Sequence, residues 1–156
     1  MLVVRADEKV LGYLGRALSL ELSAVQQYTT QAQLLATWGL RDAAANFRKE
    51  AKEELQHSNR IIERMLAIGV APNGSQLRPV KLASDLSTLL GFNQQLEADV
   101  IQLYRSATHH CARVGDHDNR SFFEELLVEE EQHQAELDAW LKRLQQAPKK
   151  DTHSVR

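Results

Sequence analysis

Apolar positions along this chain recur at intervals of three, four and seven residues, the period of an α-helix buried on one side. From about Asp7 to Trp38 the stripe reads Leu11, Leu14, Leu18, Val25, Tyr28 and Leu35. Asp7 is the predicted N-cap, its carboxylate facing the positive end of the helix, and Gly39 is the predicted stop. A second helix is expected from near Asp42 to about Ile68, with Phe47, Glu50, Glu54, His57, Ile61, Met65 and Ile68 on its face. Gly69 ends it and Pro72 blocks continuation. A third begins after Ser84 or Asp85 and runs to about Val114, marked by Leu86, Leu90, Val100, Tyr104 and Cys111, with Gly115 as its stop. The fourth begins after Asp116 or Asp118, runs to about Gln146, and carries Phe122, Leu126, Leu137, Trp140 and Leu144.

Residues 69–83 have no periodicity and contain Pro72, Asn73, Gly74 and Pro79. An extended segment of that length reaches roughly 50 Å, whereas a helix of some 27 residues is roughly 40 Å long. It can therefore run the length of a bundle and start the third helix at the opposite end. The pattern predicts an all-α, four-helix bundle, up-down-down-up, with a long crossover between the second and third helices. One domain over 1–148 accounts for it. Residues 149–156 carry a single aliphatic side chain, Val155, and are expected to form a mobile tail.

Composition narrows the function. Lys and Arg number 19 against 21 Asp and Glu, a net charge of −2, which gives no reason to expect nucleic acid or an anionic membrane as partner. No apolar run approaches the ~20 residues of a membrane span, and the first residues lack a secretory pattern. The one cysteine, Cys111, has no partner in the chain and fits a reducing cytoplasm.

The candidate chemistry lies in Glu54-Leu55-Gln56-His57, whose Glu and His are one helical turn apart on one face. A single such pair says little. It returns, however, as Glu130-Glu131-Gln132-His133, and 130 − 54 equals 133 − 57. The same offset relates Glu21 to Glu97, Tyr28 to Tyr104 and Gly39 to Gly115. The chain is one helical hairpin used twice, each copy with a Glu on its first helix and an E-x-x-H on its second. Two such hairpins about an approximate two-fold axis would bring six side chains together. Glu21 and Glu97 stand where the apolar stripes call for Leu or Val. A buried, unpaired carboxylate is costly, and no basic residue recurs on these stripes to neutralise it. Two divalent metal ions would balance four carboxylates.

With these residues the chain resembles the di-iron carboxylate proteins of the ferritin-like bundles, and among them bacterioferritin. The Gln26-Gln27-Tyr28 run, the Thr37-Trp38-Gly39-Leu40 turn and Arg60-Ile61-Ile62-Glu63-Arg64 carry the likeness further. The resemblance implies that Glu54 and Glu130 bridge two iron ions, that Glu21 and His57 complete one position, and that Glu97 and His133 complete the other. It implies a ferroxidase that oxidises Fe(II) with O₂ or H₂O₂ and stores ferric mineral in a 24-subunit homo-oligomeric cage. Bacterioferritins also hold haem between subunits through a methionine directly after the bridging Glu of the first E-x-x-H. Here that position is Leu55, which cannot ligate iron, and the only methionines are Met1 and Met65. No methionine-ligated haem is expected, which leaves room for co-assembly with a haem-binding paralogue. Leu55 and Ile62 would still form an apolar strip beside the ligand face, suited to a symmetric dimer contact, with internal packing as the other reading. The family lines its four-fold channel with a short fifth helix, for which 149–156 has no pattern.

The same six ligands also suit a di-metal peroxidase or dimanganese catalase of smaller oligomeric state, and they accept Fe, Mn or Zn. Tyr28 and Tyr104 are expected as core tyrosines or as hydrogen-bond donors to a ligand carboxylate. Glu50 and Glu53 are expected on a solvated helix face, with an inner-surface iron site as the other reading. His109-His110 is expected to cap a helix C-terminus, and Cys111 to be a small core residue.

Overall fold

The computed structural model describes residues 6–147. Four helices make up the described chain: α1 (Glu8–Thr37), α2 (Arg41–Ala67), α3 (Leu86–Val114) and α4 (His117–Gln146). Their ends follow local chemistry. Asp7 accepts from the backbone N–H of Lys9 and Val10, Asp85 from Thr88 and Asp116 from Asn119, each satisfying an N–H that the first helical turn leaves free. α2 begins at Arg41, one residue before the expected start; Leu40 gives it no side-chain cap, and Asp42 lies in its first turn. Gly39, Gly69 and Gly115 take φ of 81°, 81° and 75°. The residue after each donates back to a carbonyl five positions earlier: Leu40 to Leu35, Val70 to Met65 and Asp116 to Cys111. A side chain at these three positions would be strained, which is why the stops could be read from glycine.

The hairpins α1–α2 and α3–α4 pack together chiefly through α1 against α3. Cross-pairs fix the directions. Tyr28 meets Glu97 while Tyr104 meets Glu21, so α1 and α3 are antiparallel. Arg60 meets Glu129 while Glu53 meets His133, so α2 and α4 are antiparallel as well. This is the expected up-down-down-up arrangement.

The crossover lies along α1, where side chains one turn apart satisfy its backbone. Ser23 Oγ accepts from the N–H of Arg78 at 3.0 Å, Gln27 Oε1 from that of Lys81 at 3.3 Å, and Gln31 Nε2 donates to the Lys81 carbonyl at 3.0 Å. Asn93 of α3 completes the buried ladder, bonding Gln27 at 2.9 Å and Gln31 at 2.8 Å. The internal repeat lapses here: the counterparts of Ser23, Gln27 and Gln31 in the second copy are Asp99, Leu103 and Ala107. Only the first copy has a crossover to hold.

Two large apolar clusters fill the bundle, with a smaller third of Ala24, Tyr28, Ala51 and Leu96. Of the large two, one holds Val10, Leu14, Leu18, Ile61, Met65, Cys111, Phe123 and Leu126, and the other Leu35, Phe47, Leu86, Leu89, Leu90 and Leu137. Three positions differ from the expected stripes: Val10, Ala24 and Phe123 are fully buried, whereas Leu11, Val25 and Phe122 are half-buried. Adjacent residues are about 100° apart on a helix, so a wide stripe admits either. No described helix is long and apolar enough to cross a membrane. The expected mobile tail at 149–156, and the question of a fifth helix there, lie outside the described residues.

Candidate metal centre

Between the two large apolar clusters lies a polar layer. Each helix contributes to it: Glu21 from α1, Glu54 and His57 from α2, Glu97 from α3, Glu130 and His133 from α4. All six are buried, none more than 8% exposed. Helical periodicity puts each E-x-x-H pair on one face, and antiparallel packing turns all four faces toward one point.

The donors fall into two groups, Glu21–Glu54–His57–Glu130 and Glu54–Glu97–Glu130–His133; within each, one ligand atom per residue lies within 4.8 Å of the others. Glu54 and Glu130 belong to both. His57 Nδ1 lies 2.6 Å from Glu130 Oε1 and His133 Nδ1 lies 3.1 Å from Glu54 Oε1, while the imidazole planes are 18° apart. Eight buried atoms here make no well-formed hydrogen bond, the close His57–Glu130 and His133–Glu54 approaches included: Oε2 of Glu21 and Glu97, both oxygens of Glu54 and Glu130, and Nδ1 of both histidines. Such atoms normally find partners, because stranding one costs about 1–3 kcal/mol. Eight facing one another, all oxygen or imidazole nitrogen, form a donor set suited to transition-metal cations. The residues present therefore fit a pair of bound metal ions.

Burial raises the Glu54 and Glu97 carboxyls well above the ordinary range, and the neighbouring carboxylates add to it. Glu21 is raised by burial and by Glu130. Burial opposes charge on the histidines as well, but contacts with Glu130 and Glu21 raise His57 to about 10, and contacts with Glu130 chiefly raise His133 to about 9. Glu130 is lowered, as its contacts with Glu97, His133 and His57 outweigh its burial. Without metal the layer therefore retains protons; bound cations would replace them.

Both tyrosines are buried, and each hydroxyl donates to a carboxylate: Tyr28 to Glu97 Oε1 at 2.5 Å, Tyr104 to Glu21 Oε1 at 2.7 Å. Each bond occupies one oxygen and leaves Oε2 facing the centre. The sequence places Tyr28 two turns from Glu21 on the same face, but the partner is Glu97 on the antiparallel helix.

Glu50 corrects an expectation. It is only 9% exposed, and burial raises its carboxyl to about 7. With Glu53 and His133 it forms a third cluster, in which Glu53 Oε2 lies 2.5 Å from His133 Nε2. The solvated-face reading fails because α4 covers this side of α2. Glu129, which no apolar stripe marks, faces His57 Nε2 at 3.7 Å. The sequence signal for it was the internal repeat, in which Glu53 and Glu129 are counterparts. His110 differs from expectation too: it is buried and its Nε2 meets Asp7 Oδ2 at 2.7 Å, tying the end of α3 to the N-cap of α1. Cys111 is buried as expected, and burial raises its thiol to about 11.

Comparison with known proteins follows the same lines. The ferritin-like domain family matches residues 11–147. Bacterioferritin of Rhodobacter capsulatus is 36% identical over 130 residues, covering 83% of this chain and 81% of that one. Bacterioferritin of Brucella melitensis biotype 1 is 32% identical over the same shares. The solved R. capsulatus bacterioferritin, described with a metal-free dinuclear site and haem iron on a crystallographic special position, superposes with a TM-score of 0.92 at 32% identity over 97% of this chain and 95% of that one.

Proposed function

Since the chain belongs to the bacterioferritins of the ferritin-like family, we propose that it stores iron by oxidising Fe(II) at the six-residue centre. The convergence of eight buried donor atoms without a well-formed hydrogen bond carries this reading. Fe(II) is the substrate. Glu21 and His57 hold one ion, Glu97 and His133 the other, and Glu54 and Glu130, shared by both groups, lie between them.

The chain's own residues do three things. Four carboxylates supply the charge that two Fe(II) ions neutralise, and they give up their protons as the metal enters. Tyr28 and Tyr104 fix the terminal carboxylates so that Oε2 of each faces inward. The apolar clusters on either side keep bulk water from the layer. Oxygen-rich donors favour Fe(III) over Fe(II), which drives electrons toward the oxidant. With dioxygen the balance is 4 Fe(II) + O₂ + 4 H⁺ → 4 Fe(III) + 2 H₂O; with peroxide it is 2 Fe(II) + H₂O₂ + 2 H⁺ → 2 Fe(III) + 2 H₂O. Replacing Glu97 or Glu130 with Ala is expected to abolish rapid Fe(II) oxidation, followed by absorbance after anaerobic loading and addition of air. Wild-type rates in both variants would refute the assignment.

The mineral requires a container, and we assign a homo-oligomeric cage of 24 subunits, checked by native mass spectrometry. A dimer with rapid peroxide turnover would point to the di-metal peroxidase or catalase class, which no feature of the geometry favours. Leu55 occupies the methionine position on α2 and is 44% exposed, so this subunit by itself holds no methionine-ligated haem; a haem-bearing paralogue could bring its own. The unpaired, buried Cys111 fits a cytoplasmic protein.

A further inference from the structure

The two halves of the centre are related by the internal repeat, yet they differ just outside the ligands. Each histidine turns Nδ1 toward the carboxylates and Nε2 outward to a glutamate of the facing helix. His133 Nε2 lies 2.5 Å from Glu53 Oε2, a direct ion-pair contact. His57 Nε2 meets the equivalent Glu129 at 3.7 Å, which is no hydrogen bond. The cause is next to it: the Arg60 guanidinium takes Glu129 Oε2 at 2.6 Å and Glu125 Oε2 at 3.3 Å. The residue equivalent to Arg60 in the second half is Glu136, and the equivalent of Glu125 is Lys49, whose Nζ reaches Glu53 only at 4.0 Å. One half thus has a cation that captures the outer glutamate; the other has none strong enough.

We propose that Arg60 makes the two metal positions unequal: by holding Glu129 it denies His57 the outer carboxylate that Glu53 gives His133, so the Glu97–His133 position binds a divalent cation more tightly than the Glu21–His57 position. The inference rests on the di-metal reading above. A carboxylate on the outer nitrogen of a ligating histidine fixes its tautomer and orientation and raises its basicity; losing such a partner costs about 10- to 100-fold in metal affinity. Arg60 is a positioning residue that acts through Glu129. Its own ion pairs are half-exposed and contribute little to stability, so removing it leaves the fold intact.

Cobalt(II) tests this without turnover. In the wild-type assembly the visible-absorption titration is expected to show two steps separated by about tenfold or more. Crystals loaded with one equivalent should show the stronger anomalous peak at Glu97–His133. R60M frees Glu129 for His57, and the steps and peaks should become equal. R60M/E129Q should restore the two steps, a reversal that a merely structural role for Arg60 does not produce. E53Q should remove the preference from the other side. Equal occupancy in the wild type, first occupancy at Glu21–His57, or a preference surviving R60M would overturn the proposal. No cobalt bound in any form would remove the di-metal reading itself, and this proposal with it.

Discussion

Tyr28 and Tyr104 show at the scale of single residues how much a hydroxyl settles. Each is completely enclosed, and each donates to the carboxylate oxygen that faces away from the centre. Burial, with Glu97 next to Tyr28 and Glu21 next to Tyr104, holds both phenols well above their ordinary pKa, so they remain donors. Tyr28→Phe or Tyr104→Phe leaves a buried carboxylate oxygen stranded. The expected cost to the metal-free protein is about 1–3 kcal/mol per substitution, read by urea denaturation. Titration gives a second prediction at this scale. Glu50 rises from 4.5 to about 7 and His57 from 6.5 to about 10 on folding. Both folded pKa values exceed the unfolded ones, so the folded state binds more protons and each contribution fades as pH rises. Metal-free protein should therefore lose stability between pH 4.5 and about 7 through Glu50, and between 6.5 and about 10 through His57. Thermal midpoints across that range test the direction, and Glu50→Gln should flatten the acid part of the decline.

Among the elements, the crossover is the segment that sequence periodicity could mark only as an absence. Its length told where it went, since fifteen extended residues exceed a helix length. What holds it there was invisible. Ser23, Gln27 and Gln31 read as ordinary polar positions on α1, yet they accept from and donate to the backbone of Arg78 and Lys81. Gln27→Leu would strand the Lys81 N–H and the Asn93 side-chain oxygen together. A loss of about 1–3 kcal/mol is expected for each orphaned group, with hydrogen exchange rising first in residues 78–83 and the helices protected as before.

Across the molecule as a whole, two large apolar clusters stabilise the bundle while the layer between them works against it. Metal should reverse that balance: adding Fe(II) anaerobically, or Co(II), is expected to raise the melting temperature of the assembly, and chelation to lower it again. An unchanged midpoint at saturating metal would speak against binding in the folded state. Leu55 carries a separate expectation for the assembly. If the family's haem position lies there, Leu55→Met should confer a Soret band on protein mixed with haem, and the parent protein should show none.

Four helices, their glycine stops and the six candidate ligands were all legible along the chain. Helical period, glycine at the left-handed positions and a repeat offset are one-dimensional signals, written in neighbours or in fixed spacing. The same offset also relates Glu53 to Glu129, but nothing in the stripes singled that pair out. What each of them touches was settled by packing. Antiparallel packing gave Tyr28 to Glu97 rather than to its near neighbour Glu21 and buried Glu50 beneath α4. It also set Arg60 against Glu129, while the equivalent glutamate, Glu53, went to His133. These contacts join side chains from opposite halves of the chain, and each depends on how two helices are rotated against each other. Period and spacing fix which face a residue occupies, and the packing of that face chooses its partner.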